Sequence, residues 1–190
     1  MLLDCPAFYI QQFLYTNKHQ KGGLAVLDAG DNTKKMTLIV TKGTLDWAYP
    51  PFILGTTAAA MDVEVTMFFT FYGLQLLKKD LDLKVSTLGN PAMEMPMGGM
   101  HMSMPNIMPV IPGVDRMTTT MMKNLMKKKG VASIEDLREA AVDLEIKIIA
   151  CQMTLDLFEI EQSDLIEGVE IGGAATWMEE AAGSDINLYL

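Results

Sequence analysis

The chain has 190 residues, of which 49% are hydrophobic and 21% charged. That supplies a packed core and argues against wholesale disorder. Fifteen basic against 24 acidic residues leave a formal net charge of −9, which argues against a general nucleic-acid binder.

The length predicts one domain, or one domain with an extra segment. No apolar run reaches the roughly 18 uninterrupted residues of a membrane-crossing helix, so membrane association is not indicated. Two cysteines, Cys5 and Cys151, cannot make a disulfide scaffold or a four-thiolate zinc site. Residues 1–34 read as an N-terminal extension. Tyr15 to Gln20 is polar, Gly22-Gly23 and Gly30-Asp31-Asn32 are turn-rich, and a short helix is predicted near Tyr9–Tyr15. The opening Met1–Pro6 lacks a basic region, and Asp4 and Pro6 interrupt any apolar stretch. A secretory signal is therefore not expected, and a cytoplasmic location with reduced thiols is.

Residues 35–190 read as one α/β domain. Met36–Val40 is a β-branched run and predicts a buried strand. Asp46 is the expected N-cap of a helix over Trp47–Met61, with Pro50 and Pro51 in its first turn or delaying its start. Thr56–Ala60 offers small residues for close packing. Val63–Phe69 predicts a second strand and Gly73–Lys79 a second, short helix. A weaker strand is expected near Lys84–Thr87.

Residues 90–113 break this rhythm with closely spaced prolines, glycines and methionines. No regular element is expected there, and the segment reads as a long functional loop or lid. Asp115 then caps a helix to about Lys129, with Met117, Met121 and Leu125 on one face. Lys127–Lys129 suits its C-terminal end and Gly130 closes it. Ser133-Ile134-Glu135-Asp136 resembles a capping box and opens a helix with Leu137, Ala140, Ala141 and Leu144 inward. Ile146–Ala150 predicts a third strand, with Cys151 at its end, and Gln152–Phe158 a helix. Ser163 is the expected cap of a short turn. Val169–Ile171 predicts a fourth strand, a helix follows Gly172-Gly173 as far as Ala182-Gly183, and Ile186–Leu190 predicts a last strand.

Strands alternating with helices predict a mainly parallel sheet with helices on both faces. Ligand sites in such sheets lie beyond the carboxyl ends of the strands. Cys151 is the residue there with strong nucleophilic chemistry. Backbone N–H groups and the helix dipole at a strand-to-helix junction favour a thiolate, which can attack a disulfide, persulfide or thiosulfonate sulfur. An accessible, electropositive setting is what that chemistry needs. The competing reading is a cysteine that simply packs behind an Ile-Ile-Ala strand. Gln152 and nearby N–H groups are expected to steady negative charge. Thr41, Lys42 and Gly43 after the first strand would hold an anionic donor, and Tyr72 and Gly73 after the second would wall the pocket. No Cys-x-x-Cys, no Gly-x-Ser-x-Gly, no P-loop and no Gly-x-Gly-x-x-Gly after the first strand is present, and His19 and His101 are the only histidines.

The spacing Met93, Met95, Met97, Met100, His101, Met102, Met104 invites a copper(I) site built on Met100, His101 and Met102. A pliable apolar cover over a pocket, or a contact with a second subunit, is the preferred reading. No cofactor and no resident metal are expected, and oligomerisation is.

Met36–Val40, Ala59–Leu74, the Met/Pro/Gly loop, Ile149–Met153 and Gly168–Thr176 together resemble the DsrE/DsrF-like sulfur-carrier family. The closer likeness is to its Met-rich branch, often labelled peroxiredoxin-like, although no Thr-x-x-Cys peroxidatic motif is present. The resemblance spans roughly residues 35–190. It implies a flavodoxin-like three-layer sandwich, a homo-oligomer and cytoplasmic sulfur traffic. It also implies a sulfurtransferase-type role for Cys151, which matches the family's cysteine position. Its partners would be small sulfur anions and donor or acceptor proteins with reactive thiols.

Overall fold

The structure is a computed structural model that describes residues 34–86, 94–97, 100–103 and 113–190. The expected helix at Tyr9–Tyr15 and most of the 90–113 segment lie outside the described residues. A five-stranded, wholly parallel sheet forms the centre. Its strands are β1 (Lys35–Val40), β2 (Glu64–Phe69), β5 (Lys147–Cys151), β6 (Val169–Gly172) and β7 (Ile186–Tyr189). They lie in the order β6-β5-β2-β1-β7. The helices are α1 (Leu45–Ala59), α2 (Val114–Lys128), α3 (Ile134–Asp143), α4 (Gln152–Phe158) and α5 (Ala174–Ala182).

Side chains alternate across the strands, so the two sheet faces differ in composition. The first face presents Leu38, Val40, Met67, Phe69 and Ile148, each nearly or wholly buried. α1 covers it with Ala48, Phe52, Gly55 and Thr56, an apolar stripe at helical spacing. A Cβ on Gly55 would stand 3.2 Å from the Met67 sulfur, so glycine lets the helix lie close to the sheet. Phe52 and Phe69 meet with ring centroids 5.9 Å apart. Burying each such ring contributes about 1.5–3 kcal/mol. Leu137 and Ala141 of α3 and Leu155 of α4 complete this core. The α3 start is the capping box read from the sequence: Asp136 N donates to Ser133 Oγ at 3.1 Å, and Ser133 N donates to Asp136 Oδ2 at 2.9 Å.

The second face presents Ile39, Phe68, Ile149 and Cys151. Trp177 of α5 packs against this cluster.

Several local expectations are corrected. Asp46 does not cap α1. Thr44 is the N-cap, and Asp46 Oδ1 accepts from Ser86 N at 2.8 Å, tying down an extended segment instead. Pro50 and Pro51 lie inside α1 beyond its first turn. They withhold the N–H groups that the carbonyls of Asp46 and Trp47 would otherwise accept. The helix expected at Gly73–Lys79 is a 3-10 segment over Phe71–Leu77. The described part of Lys84–Thr87 carries no strand. Gly113 is the N-cap of α2, and Asp115 pairs with Lys84 at 2.8 Å. Glu161, not Ser163, precedes the 3-10 turn Gln162–Asp164.

The Met/Pro/Gly segment also holds regular structure. Strands β3 (Glu94–Met97) and β4 (Met100–Ser103) pair antiparallel, with Pro96 opposite His101. A two-stranded ribbon consists of edges only, and an edge tolerates a proline that a central strand would not.

Candidate functional site

At the carboxyl end of the sheet the loops after β1 and β2 interlock. A Cβ on Gly43 would stand 2.1 Å from the Tyr72 carbonyl oxygen, and one on Gly73 would stand 2.2 Å from the Val40 carbonyl oxygen. Gly73 N donates to Thr41 O at 3.0 Å, and Thr70 N donates to Val40 O at 3.0 Å. This backbone contact fixes where Thr70 stands. The last paired residues of β2 and β5 are Phe69 and Ala150, which puts Thr70 and Cys151 at one level on neighbouring strands.

Cys151 closes β5 and is the N-cap of α4. It is 5% exposed and packs with Phe68, Ile149 and Trp177. The thiol is thus covered rather than open at a rim, which corrects the expectation of accessibility. Gly172 lies beside it in register on β6, where a Cβ would stand 2.9 Å from the Ile149 side chain. Burial pushes the thiol pKa up. Hydrogen bonds from the Thr154 hydroxyl, the Thr154 amide, the Thr70 hydroxyl and the Met153 amide outweigh it, and the net direction is below the ordinary thiol value.

Those donors are organised among themselves. The Thr70 and Thr154 hydroxyl oxygens lie 3.1 Å apart, and Phe71 N donates to Thr154 Oγ1 at 3.2 Å. Thr154 is fully buried. Phe71 has φ +47°, a backbone region that bulky residues rarely adopt.

The other expected site residues are placed as follows. Thr41 Oγ1 donates to the Leu190 carbonyl at 2.9 Å. Lys42 Nζ stands 3.0 Å from the Trp47 ring centroid, a cation–π contact. Gly43 and Gly73 form the backbone interlock. Tyr72 is exposed and stacks on Phe158 at 5.7 Å between centroids. Gln152 is exposed, and its Nε2 donates to Asp156 Oδ1 at 2.7 Å. Thr70 and Thr154, which the sequence reading missed, are among the groups that lower the thiol pKa, along with the Thr154 and Met153 amides, whereas Gln152 is turned to Asp156. The spacing Cys151-x-x-Thr154 at a helix start was the available signal, since a residue at that position reaches back to the N-cap.

Among the described residues, no group of three or more His, Cys, Asp or Glu could hold a metal ion. No helix among them is long and apolar enough to cross a membrane.

Residues 32–189 match the model of the DsrE/DsrF/DrsH-like family. The chain is 58% identical, over 83% of its length and 98% of the relative's, to the sulfur carrier protein DsrE2 of Allochromatium vinosum. It is 31% identical, over 84% of its length and 99% of the relative's, to the uncharacterized protein YrkE of Bacillus subtilis. Among solved structures, the ychN protein from E. coli superposes with a TM-score of 0.46 at 13% identity, covering 82% of this chain and 99% of that one.

Proposed function

The chain belongs to the DsrE/DsrF/DrsH-like family, and from that premise we propose that it is a sulfurtransferase-type sulfur carrier. Cys151 accepts sulfane sulfur or a thiosulfonate group from a small sulfur anion or a donor protein and passes it to a partner thiol. The observation that carries the reading is the place of the thiol: Cys151 closes a strand at the carboxyl edge of a parallel sheet and opens α4, with Thr70 at the same level on the neighbouring strand. Its pKa is held below the ordinary thiol value despite burial, in the direction a nucleophilic thiolate needs. In loading, the Cys151 thiolate attacks a sulfur of the donor, an S–S bond forms, and the donor's S–S bond breaks with its electron pair on the departing anion. The apolar cluster of Phe68, Ile149 and Trp177 keeps water from the loaded sulfur. A cytoplasmic setting, a homo-oligomer and partners with reactive thiols belong to the same proposal. So does the division into an extension over 1–34 and a domain over 35–190.

Mass spectrometry after incubation with polysulfide, thiosulfate or tetrathionate tests the reading. The expected result is a sulfur adduct on Cys151 that is absent from Cys151→Ser. An unmodified Cys151 under all three overturns it. A non-catalytic binding or assembly module is the second reading, favoured by the exposed Met117, Met121 and Leu125 on α2. Full cellular function in Cys151→Ser would select it.

A further inference from the structure

A helix at a domain surface normally buries its apolar stripe and shows its polar side to water. On α2 the order is reversed. The buried side chains are Thr118 and Thr119, with Met122 and Met126 half-buried beside them, and Thr119 Oγ1 accepts from Val85 N at 3.1 Å. Met117, Met121 and Leu125, spaced four apart on one side of the helix, are exposed instead, Met117 to 61%. Charge of one sign borders this stripe. Five of the chain's 15 Lys and Arg residues stand between Arg116 and Lys129, with no Asp or Glu among them. Lys123, Lys127 and Lys128 are exposed, and among the described residues none of the three makes a salt bridge.

A second patch, at the carboxyl edge of the sheet, has the opposite charge. Met153 and Leu157, four apart on α4, are each 60% exposed, and Phe71 and Tyr72 are exposed as well. The two segments adjoin, since Tyr72 stacks on Phe158 and Phe71 N donates to Thr154 Oγ1. Asp156, Glu159 and Glu161 are exposed on and just after α4. From Lys147 to Leu190 the sequence holds no further Lys or Arg.

We infer that α2 of one copy docks on the α4 patch of a second copy of this chain, its Met117–Leu125 stripe against Phe71, Tyr72, Met153 and Leu157, and its lysines toward Asp156 and Glu159. The inference rests on the homo-oligomer of the reading above and names the surfaces that make it. Apolar patches of this kind mark contact sites, and opposite charge selects which two meet. A second copy is the occupant because the chain supplies both halves. With the α2 cluster set aside, ten basic residues remain against all 24 acidic ones, so the complement of α2 is the rest of the chain itself. Each copy carries both surfaces, and the contact therefore repeats into a symmetric assembly. α4 opens at Cys151, which sets the docked helix beside the proposed sulfur site.

Sedimentation velocity of the full chain over a concentration series, at low and at high salt, tests the contact. The parent should assemble beyond its 21.0 kDa monomer mass and loosen as salt rises. Lys123→Glu with Lys128→Glu, and separately Asp156→Lys with Glu159→Lys, should each weaken assembly by about tenfold or more, because like charges then meet. The four substitutions together should bring it back to within about threefold of the parent. Met117→Ser with Leu125→Ser should weaken it by about tenfold with no charge altered. All these side chains are exposed, so far-UV circular dichroism should match the parent throughout, and recovery in the fourfold variant separates a lost contact from a lost fold. Charge-reversed pairs that assemble like the parent, or a fourfold variant that stays apart, overturn the inference. A parent that remains monomeric overturns it too, and sedimentation of that monomer with phosphatidylglycerol vesicles would give α2 an anionic lipid surface instead. Sulfur loading of Cys151 is scored on the same parent by mass spectrometry. Assembly without loading overturns the carrier reading alone, and loading without assembly overturns this contact alone.

Discussion

The two faces of the sheet are built differently. The first is covered by α1, α3 and α4 over a continuous core running from Leu38 through Phe52 and Phe69 to Leu155. The second has a small cluster of Phe68, Ile149 and Cys151 under α5, among the described residues. α5 itself has no buried residue. The face with the most apolar burial supplies most of the stability, since that term scales with area removed from water. The face that holds the thiol carries the smaller buried cluster among the described residues.

Truncating one phenylalanine on each face is the sharpest way to break this contrast. Phe52 is fully buried on the first face, and Phe52→Ala should cost about 3–5 kcal/mol, transfer plus cavity. Phe68, on the second face, is 6% exposed. Phe68→Ala should cost at most about 3 kcal/mol, because few buried side chains surround the ring and lose contacts with it. Urea unfolding of both variants measures this. Equal losses would mean that the second face is as firmly packed as the first.

The first face was also the more legible in the sequence. Met36–Val40 and Ile146–Ala150 announce strands because apolar and β-branched runs have few other places to go. The Ser133 box was readable because its two partners are three residues apart. The position of Cys151 at a strand-to-helix junction was readable for the same local reason. Much of what escaped depends on residues distant in the chain. Thr70 and Thr154 are 84 residues apart and meet only through strand pairing. Asp46 looked like a cap, but Ser86, 40 residues away, claims its carboxylate. Pro96 looked incompatible with a strand, and pairing in an isolated ribbon admits it. Composition showed no sign that one sheet face would be sparsely covered.

Trp177 sharpens the comparison at the site itself. Its indole N–H is buried with no hydrogen-bond partner among the described residues, an unfavourable state that an opened helix would relieve in water. Removing the ring should make Cys151 easier to reach without changing its donors. Trp177→Ala is expected to raise the alkylation rate at saturating pH by about tenfold, equivalent to ~1.4 kcal/mol of easier opening. The midpoint of the pH profile should stay put. Thr154→Val should do the reverse, moving the midpoint up and sparing the plateau, since Thr154 is the largest influence lowering the thiol pKa. A Trp177→Ala profile that shifts along the pH axis would tie α5 to ionisation instead of access.

The smallest expected effect lies at the other end of the second face. Lys147 precedes Ile149 and Cys151 on the same side of β5 and bonds Glu180 at 2.7 Å. That hydrogen bond, with the nearby Glu180 and Glu170 charges, raises the Lys147 pKa against the opposing pull of burial. The folded chain thus holds this proton more tightly than the unfolded one. The resulting stabilisation is complete below the ordinary lysine value of 10.5 and is lost as pH rises through the higher folded value. The lysine side chain is 37% exposed, so solvent screening limits the contribution to about 0.2–1 kcal/mol. Lys147→Met should flatten that alkaline loss in urea unfolding at pH 7 and above pH 10. It should leave the Cys151 alkylation profile unchanged, because the thiol is governed by donors at the strand end and not by this pair. A profile displaced in Lys147→Met would make long-range charge, in place of the Thr70 and Thr154 hydroxyls, the control on the sulfur.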